Sequence, residues 1–399
     1  MRIETPRHHE RFGDVRIHEL TRVVELDAGL DGDHSHVEAD VGGVSHVAAS
    51  AIGDVERRMA IVVPIKDERL DVIDGVLSGI PHDCLIIAVS ASRRDPDRYR
   101  LETELAERFC SAAARPMVLI HQDDPGLAAT LVSCGFGEIV EGATVRGGKG
   151  EAMVVGMLLA ELEGKDYVGF VDADNYVPGA VHEYVKVFAA GLHLAPSPYA
   201  MVRVSWRSKP KIEDGALVFN RWGRTTQVTN RFLNLVLSTV TGSGTDPITT
   251  GNAGEHAMTL ALARRLRFAG GFSVEPFEYV ELFEQFGGVV DPAYPNPDRA
   301  PVDVYQVETR NPHFHEDKGD EHVLGMQVQA LNVVCHSPMC PPEVREEIVD
   351  FLTEQRALTP GERPPPARVY PPYRRIDLAE FAETLSMKSE SLRRLPAAE

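Results

Sequence analysis

From Met59 onward the apolar positions alternate between short β-branched runs and longer stretches with helical spacing. Ala60-Ile61-Val62-Val63 reads as a strand, and Leu70, Ile73 and Leu77 then mark one helix face before Gly79. The pair recurs. Cys84 to Val89 is predicted as a strand, Pro96 to Phe109 as a helix, and Met117 to Ile120 as a further strand. A helix over Glu151 to Leu162 stops before Gly164, and Tyr167 to Val171 is a strand. The stripe from Val181 to Leu192 belongs to a helix opening near Pro178, a residue suited to the first turn. Strands alternating with helices predict a mainly parallel sheet covered on both faces, with ligands beyond the strands' carboxyl ends. After Trp206 the alternation weakens. Arg221 to Leu237, Pro276 to Phe286 and Glu321 to Val334 read as helices, Phe272 to Val274 and Val302 to Val307 as extended chain. Residues 30–54, rich in Gly, Asp, His and Ser, read as a linker, with regular structure starting after them. The tail carries Pro364-Pro365-Pro366 and Pro371-Pro372, which stiffen a chain rather than build a core, and is expected to be an arm or oligomer interface. The organisation expected is an N-terminal segment and linker (1–55), a regular α/β part (56–205), a part with weaker alternation (206–335) and a C-terminal arm (336–399).

Composition narrows the classes. The 399 residues carry 41 basic and 60 acidic side chains, a formal charge of −19, which argues against a general nucleic-acid binder. No apolar run approaches the roughly 20 residues needed to cross a bilayer, and the first ten residues lack a secretory pattern. A cytoplasmic protein without membrane partners is expected. The five scattered cysteines fit reduced thiols.

The sharpest candidate chemistry is Asp172-Ala173-Asp174, two carboxylates one residue apart where a buried-type strand ends. Side chains at i and i+2 of an extended chain share one side, so both can face a hard divalent ion such as Mg²⁺ or Mn²⁺; locally, two acids capping a turn explain the same pattern. His313-Phe314-His315 adds imidazoles that complement carboxylates at such an ion, although a His-x-His pair also occurs as surface decoration. Gly147-Gly148-Lys149-Gly150 opens a helix and can offer amides and an ammonium to a phosphate; it lacks the P-loop spacing. Between Arg203 and Arg231 stand seven positive and two negative side chains, a reversal of the overall balance that suits a small anion. Asn252 to His256 is read as beginning another helical stretch. Glu275 is read as a strand-end acid able to bind an acceptor hydroxyl or support a ligand.

Taken in order, Val62-Val63-Pro64 with Glu68-Arg69, Gly75 to Pro81, His121-Gln122, Gly148-Lys149, Gly169 to Asn175, Asn252 to Met258 and Arg310 to Glu316 resemble the mannosyl-3-phosphoglycerate synthase family. The resemblance implies a retaining glycosyltransferase of the GT-A fold that moves mannose from GDP-mannose to the 2-hydroxyl of 3-phosphoglycerate, a step toward the compatible solute mannosylglycerate. It implies Pro64, Lys66, Glu68, Gln122, Lys149, Asp172 and Ala173 at the donor. Asp172, Asp174 and His313 are implied at the metal, His313 being favoured over His315. Gly223, Arg224, Thr225, Thr226, Asn252 and His315 fall to the acceptor, and Asp174, Glu275 and Arg224 to catalysis; a homodimer is expected. Asp67 departs from the Asn of many relatives. Similar enzymes use GDP-glucose or UDP-glucose and make glucosyl-3-phosphoglycerate. A sugar-nucleotide pyrophosphorylase would carry its glycine-rich signature where Pro64-Ile65-Lys66-Asp67 stands, and a haloacid-dehalogenase-like phosphatase a Thr where Tyr176 stands.

Overall fold

The structure is a computed structural model that describes residues 1–26, 43–95, 97–175, 177–213, 216–220, 223–295, 300–314 and 319–396. Its centre is a mixed twelve-stranded sheet. Met117–His121, Leu85–Ser90, Met59–Ile65 and Tyr167–Phe170 lie side by side and parallel. His256–Thr259 runs antiparallel to Tyr167–Phe170 and to the next strand, Tyr199–Trp206. Parallel pairing then resumes with Val302–Thr309 and Val15–Glu25. Seven strands therefore point one way, and their carboxyl ends share one edge.

Both faces of this sheet are buried, which is why its strands read as continuous apolar runs. Along Met59–Ile65, Ala60 and Val62 enter one core cluster while Met59, Ile61, Val63 and Ile65 enter the other. Helix Lys149–Leu162 closes on the first face through Gly156, where a Cβ would stand 2.4 Å from Val62 Cγ1. Helices Leu70–Gly79 and Pro178–Leu194 cover the second.

Several expectations need correction. Regular structure starts before Met59: Val15–Glu25 is an eleven-residue strand inside the sheet, and Val44–His46 and Ala49–Arg57 form a strand and a helix within the expected linker. Tertiary pairing rather than local periodicity stabilises them. The 272–274 segment is not extended: Gly271–Ser273 is a 3₁₀ turn leading into helix Val274–Phe286, because the turn caps a buried helix. The stretch from Asn252 leads into strand His256–Thr259, with only the four-residue helix Leu260–Ala263 beyond. Helix Arg224–Thr241, with Gly223 as its N-cap, follows a two-stranded ribbon of Lys209–Glu213 with Ala216–Asn220, while Arg221, where the helix was expected to open, lies outside the described residues. Nor does the tail only stiffen the chain. Tyr370, Tyr373, Ile376, Phe381 and Leu385 are core residues, and Arg393–Leu395 extends the sheet antiparallel to Met117–His121.

Candidate functional site

At the shared carboxyl edge, the segments that leave the strands form a cleft with two connected chambers. One is lined by Pro64, Lys66, Glu68, Gln122, Gly148 and Ala173, with Phe272 and His322 opposite. The other is lined by Trp206, Lys209, Gly223, Arg224, Thr225, Thr226, Asn252, Glu255, Glu275 and His313. Lys149, Asp172 and Asp174 line both. Apart from His315, which lies outside the described residues, the structure brings every residue expected at the donor, acceptor and metal to one of these walls.

The first chamber is built by turns following parallel strands. After Met59–Ile65 the chain reverses at Asp67, whose φ of +64° is a conformation that Asn and Asp tolerate better than most residues. The Asp keeps the turn, and its carboxylate receives the Arg93 main-chain N–H and side chain, both at 3.0 Å. Gln122 is buried and donates through Nε2 to the carbonyls of Arg146 and Gly148, holding the glycine-rich loop. That loop opens helix Lys149–Leu162, so its amides and positive dipole end face the chamber, as a phosphate requires.

Between the chambers Lys149 Nζ lies 2.5 Å from Asp172 Oδ1 and 2.7 Å from Glu275 Oε1. Burial alone would lower its pKa; the two carboxylates outweigh this and hold the ammonium above its ordinary value. Glu275 belongs to the first turn of helix Val274–Phe286 and not to a strand end, yet it still reaches the cleft. Asp174 sits in the turn after Tyr167–Phe170, so a turn and not an extended strand turns both aspartates to the cleft. Gly254 makes room for this arrangement, since a Cβ there would stand 2.5 Å from Asp172 Oδ2.

In the second chamber Gly223 is the N-cap of helix Arg224–Thr241, which aims its N-terminus, Thr225 and Thr226 at the cavity. Arg224 pairs with Asp320 at 2.5 Å. Lys209 lies over the Trp206 ring, 3.9 Å from its centroid, and Trp206 stacks on His313 at 4.4 Å. The hydroxyl of Tyr184 is 3.3 Å from His313 Nδ1.

The basic segment does not act as one unit. Lys209 and Arg224 reach the cleft, but Arg203 is wholly buried, pairs with Glu278, and donates to the carbonyls of Thr250 at 3.0 Å and Glu275 at 3.1 Å. Arg231 pairs with Glu347 on the outside. Lys211 and Arg221 fall outside the described side chains. Alternation explains Arg203, whose place within strand Tyr199–Trp206 turns it away from the edge. Missed from sequence were Trp206, Glu255, Phe272 and His322, which reach the cleft from four separate segments; the segment from Asn252 to Met258 was singled out without Glu255 being given a role, and a strand ending at Trp206 could have pointed to the tryptophan.

Fold and cleft together define an α/β protein whose ligand edge offers two amide-rich helix N-termini and a lysine–carboxylate junction, the place where open parallel sheets hold phosphorylated ligands. The family profile described as Mannosyl-3-phosphoglycerate synthase matches residues 5–385. The mannosyl-3-phosphoglycerate synthase of Pyrococcus furiosus is 43% identical over 99% of both chains, and that of Aeropyrum pernix 35% identical over 98% of this chain and 99% of the relative. The chain belongs to the mannosyl-3-phosphoglycerate synthase family. Among solved structures, glucosyl-3-phosphoglycerate synthase from Mycobacterium tuberculosis in complex with Mn²⁺, UDP and glucosyl-3-phosphoglycerate aligns with a TM-score of 0.47 and 19% identity, over 74% of this chain and 87% of that one. Among the described residues no helix is long and apolar enough to cross a membrane.

Proposed function

We propose that this chain is a metal-dependent retaining hexosyltransferase of the GT-A type, transferring mannose from GDP-mannose to the 2-hydroxyl of 3-phosphoglycerate. The observation that carries the reading is the junction of the two chambers at Lys149, Asp172 and Asp174. A nucleotide in the first chamber and an anionic acceptor in the second would meet there, with the sugar between them. Lys66, Gln122 and the loop amides before Lys149 bind the nucleotide diphosphate side. Arg224, Lys209 and the N-terminus of helix Arg224–Thr241 bind the acceptor's phosphate and carboxylate. Asn252 and Glu275 flank the place where the acceptor hydroxyl must sit.

The donor set fits a divalent cation. Asp172, Asp174 and His313 line one chamber, carboxylate oxygens suit Mg²⁺ or Mn²⁺ with the imidazole as a further donor, and Asp172 already holds a positive group, the Lys149 ammonium. Among the described residues no three potential ligands form a ready-made cage. The ion, when bound, supplies charge neutralisation at a leaving diphosphate. Lys149 contributes to the same end with its own charge, and the rest of the catalysis is positioning of the acceptor hydroxyl beneath the anomeric carbon. Retention follows if a leaving-phosphate oxygen takes the acceptor's proton on the face it departs from.

The test is a product assay with GDP-mannose, GDP-glucose and UDP-glucose, each with 3-phosphoglycerate, with and without Mg²⁺ or Mn²⁺. Mannosyl-3-phosphoglycerate formed from GDP-mannose only when metal is present is expected; no product with any donor overturns the reading. The enzyme is proposed to act in the cytoplasm as a homodimer. Sedimentation at the single-chain mass of 43.9 kDa would remove the dimer.

A further inference from the structure

Behind the walls of the first chamber lies a carboxylate that the proposed chemistry does not use. Glu151 stands in the first turn of helix Lys149–Leu162 and is 3% exposed. Its Oε2 accepts the Gly271 main-chain N–H at 2.9 Å, and its Oε1 accepts the Tyr370 hydroxyl at 2.6 Å. One side chain thus joins the glycine-rich loop to partners 120 and 219 residues further along the chain.

Both ends of this link reach the chamber. Gly147 and Gly148, directly before the helix, line it on one side, and Gly271, Phe272 and Gln329 line it on another. Gln329 Oε1 receives the Phe272 N–H at 3.1 Å and the Gln329 carbonyl receives the Ser273 hydroxyl at 2.8 Å, so the turn is also held by helix Asp320–His336. The C-terminal arm supplies the remaining part. Val369–Tyr370 pairs antiparallel with Phe268–Ala269, and the Gly270 N–H donates to the Arg368 carbonyl at 2.9 Å.

The glycines show how closely these parts approach. A Cβ at Gly148 would stand 2.1 Å from Glu151 Oε2, one at Gly270 2.3 Å from Glu151 Oε1, and one at Gly150 2.1 Å from the Ala269 carbonyl oxygen. The glycine-rich sequence therefore admits this clasp as well as presenting amides to a phosphate. Burial, followed by the hydrogen bond to Glu151 and its charge, holds the Tyr370 hydroxyl above its ordinary pKa, so it remains a donor at neutral pH.

Resting on the transferase reading, we propose that Glu151 and Tyr370 are positioning residues for the sugar nucleotide: they clasp the glycine-rich loop to the Gly271–Phe272 turn and so set the width of the donor chamber. The C-terminal arm is then part of the donor site although it touches no substrate.

Tyr370→Phe tests this, because it removes only the hydroxyl and leaves the ring in the core. KM for the sugar nucleotide is expected to rise about tenfold, the scale of one hydrogen bond to a charged group, with KM for 3-phosphoglycerate within about twofold of wild type. Adding Tyr370→Phe to Glu151→Ala should change the donor KM no further, since both act through one link. Should Tyr370→Phe not fold, Glu151→Gln carries the same readout of donor against acceptor KM. A clasp that serves stability alone would lower the melting temperature and leave both KM values as in wild type. That result, an equal rise in both KM values, or full additivity in the double variant overturns the positioning role. Wild-type protein that transfers no hexose from any donor overturns the transferase reading instead, so the two failures are distinguishable.

Discussion

Two buried charge clusters lie a few residues apart along the chain and are built to opposite specifications. Beneath the cleft, Glu278 receives Arg203 and sits 2.9 Å from His256 Nε2, a guanidinium and an imidazole around one acid. Although burial opposes ionisation, His256 and Arg203 hold Glu278 below its ordinary pKa. At the cleft, Lys149 faces both Asp172 and Glu275, and burial beside Asp172 raises the pKa of Glu255. The satisfied cluster fixes backbone: Arg203 and His256 hold the carbonyls of Thr250, Ala253, Gly254 and Glu275 in place. The one at the cleft has excess negative charge, and it gains stability when a cation arrives. A buried acid flanked by a guanidinium and an imidazole serves here to hold backbone, whereas the acids beside Lys149 line the cleft.

Substitutions can break or sharpen this contrast. The largest effect is expected at the cleft: Asp174→Ala should lower turnover by about 10³-fold or more, the scale on which a charge-stabilising group acts in a transition state, while the melting temperature stays near wild type. Excess chelator should reproduce the loss in the wild-type assay. Wild-type rates in either experiment would remove the metal role.

Next comes the cluster beneath. Glu278→Ala leaves Arg203 buried without its counter-charge and should cost about 3–5 kcal/mol in denaturant unfolding. A loss below 1 kcal/mol would mean the cluster is not holding the backbone.

The two acids should also respond to pH with opposite sign. Glu255 has a raised folded pKa, so its native form holds a proton that the unfolded chain gives up, and its contribution to stability is lost as pH rises from 4.5 through about 8. Glu278 has a lowered one. Its contribution is present above its ordinary value of 4.5 and lost as pH falls through the folded pKa. Urea midpoints at pH 5.5 and 8 should therefore fall less in Glu255→Gln than in wild type, and the deficit of Glu278→Gln should shrink below pH 4. Parallel pH profiles for both variants would contradict the assignment.

The smallest effect belongs to the rim. Arg224→Ala should raise KM for 3-phosphoglycerate on the order of tenfold, the worth of one charge-assisted hydrogen bond, leave KM for the sugar nucleotide alone, and barely alter stability, because its pair with Asp320 is exposed. An unchanged acceptor KM would place the anion site elsewhere.

These contrasts also mark how far the chain could be read without its fold. The strands Met59–Ile65, Leu85–Ser90, Met117–His121 and Tyr167–Phe170 were legible because both sheet faces are buried, and each becomes a short, continuous apolar run. Asp172 and Asp174 were legible because strand and motif are contiguous. Arg203 was misplaced because a local charge count cannot distinguish an inward from an outward position in a strand that was not recognised. The place of Val15–Glu25 and of the 342–396 tail in the sheet and core was missed because their partners are hundreds of residues away: Val15 pairs with Val302, and Arg393 with Leu119.

The sequence by itself determined the alternating α/β core, its acidic balance, the paired aspartates, the glycine-rich turn and the Gly223–Thr226 turn, since each depends on neighbours within one turn or strand. Only the tertiary structure decided which charges are satisfied. Whether Arg203 meets a substrate or Glu278, and whether Glu255 finds a cation or keeps its proton, depends on contacts between segments that the sheet brings together. Burial, by removing water as the alternative partner, makes those contacts decisive.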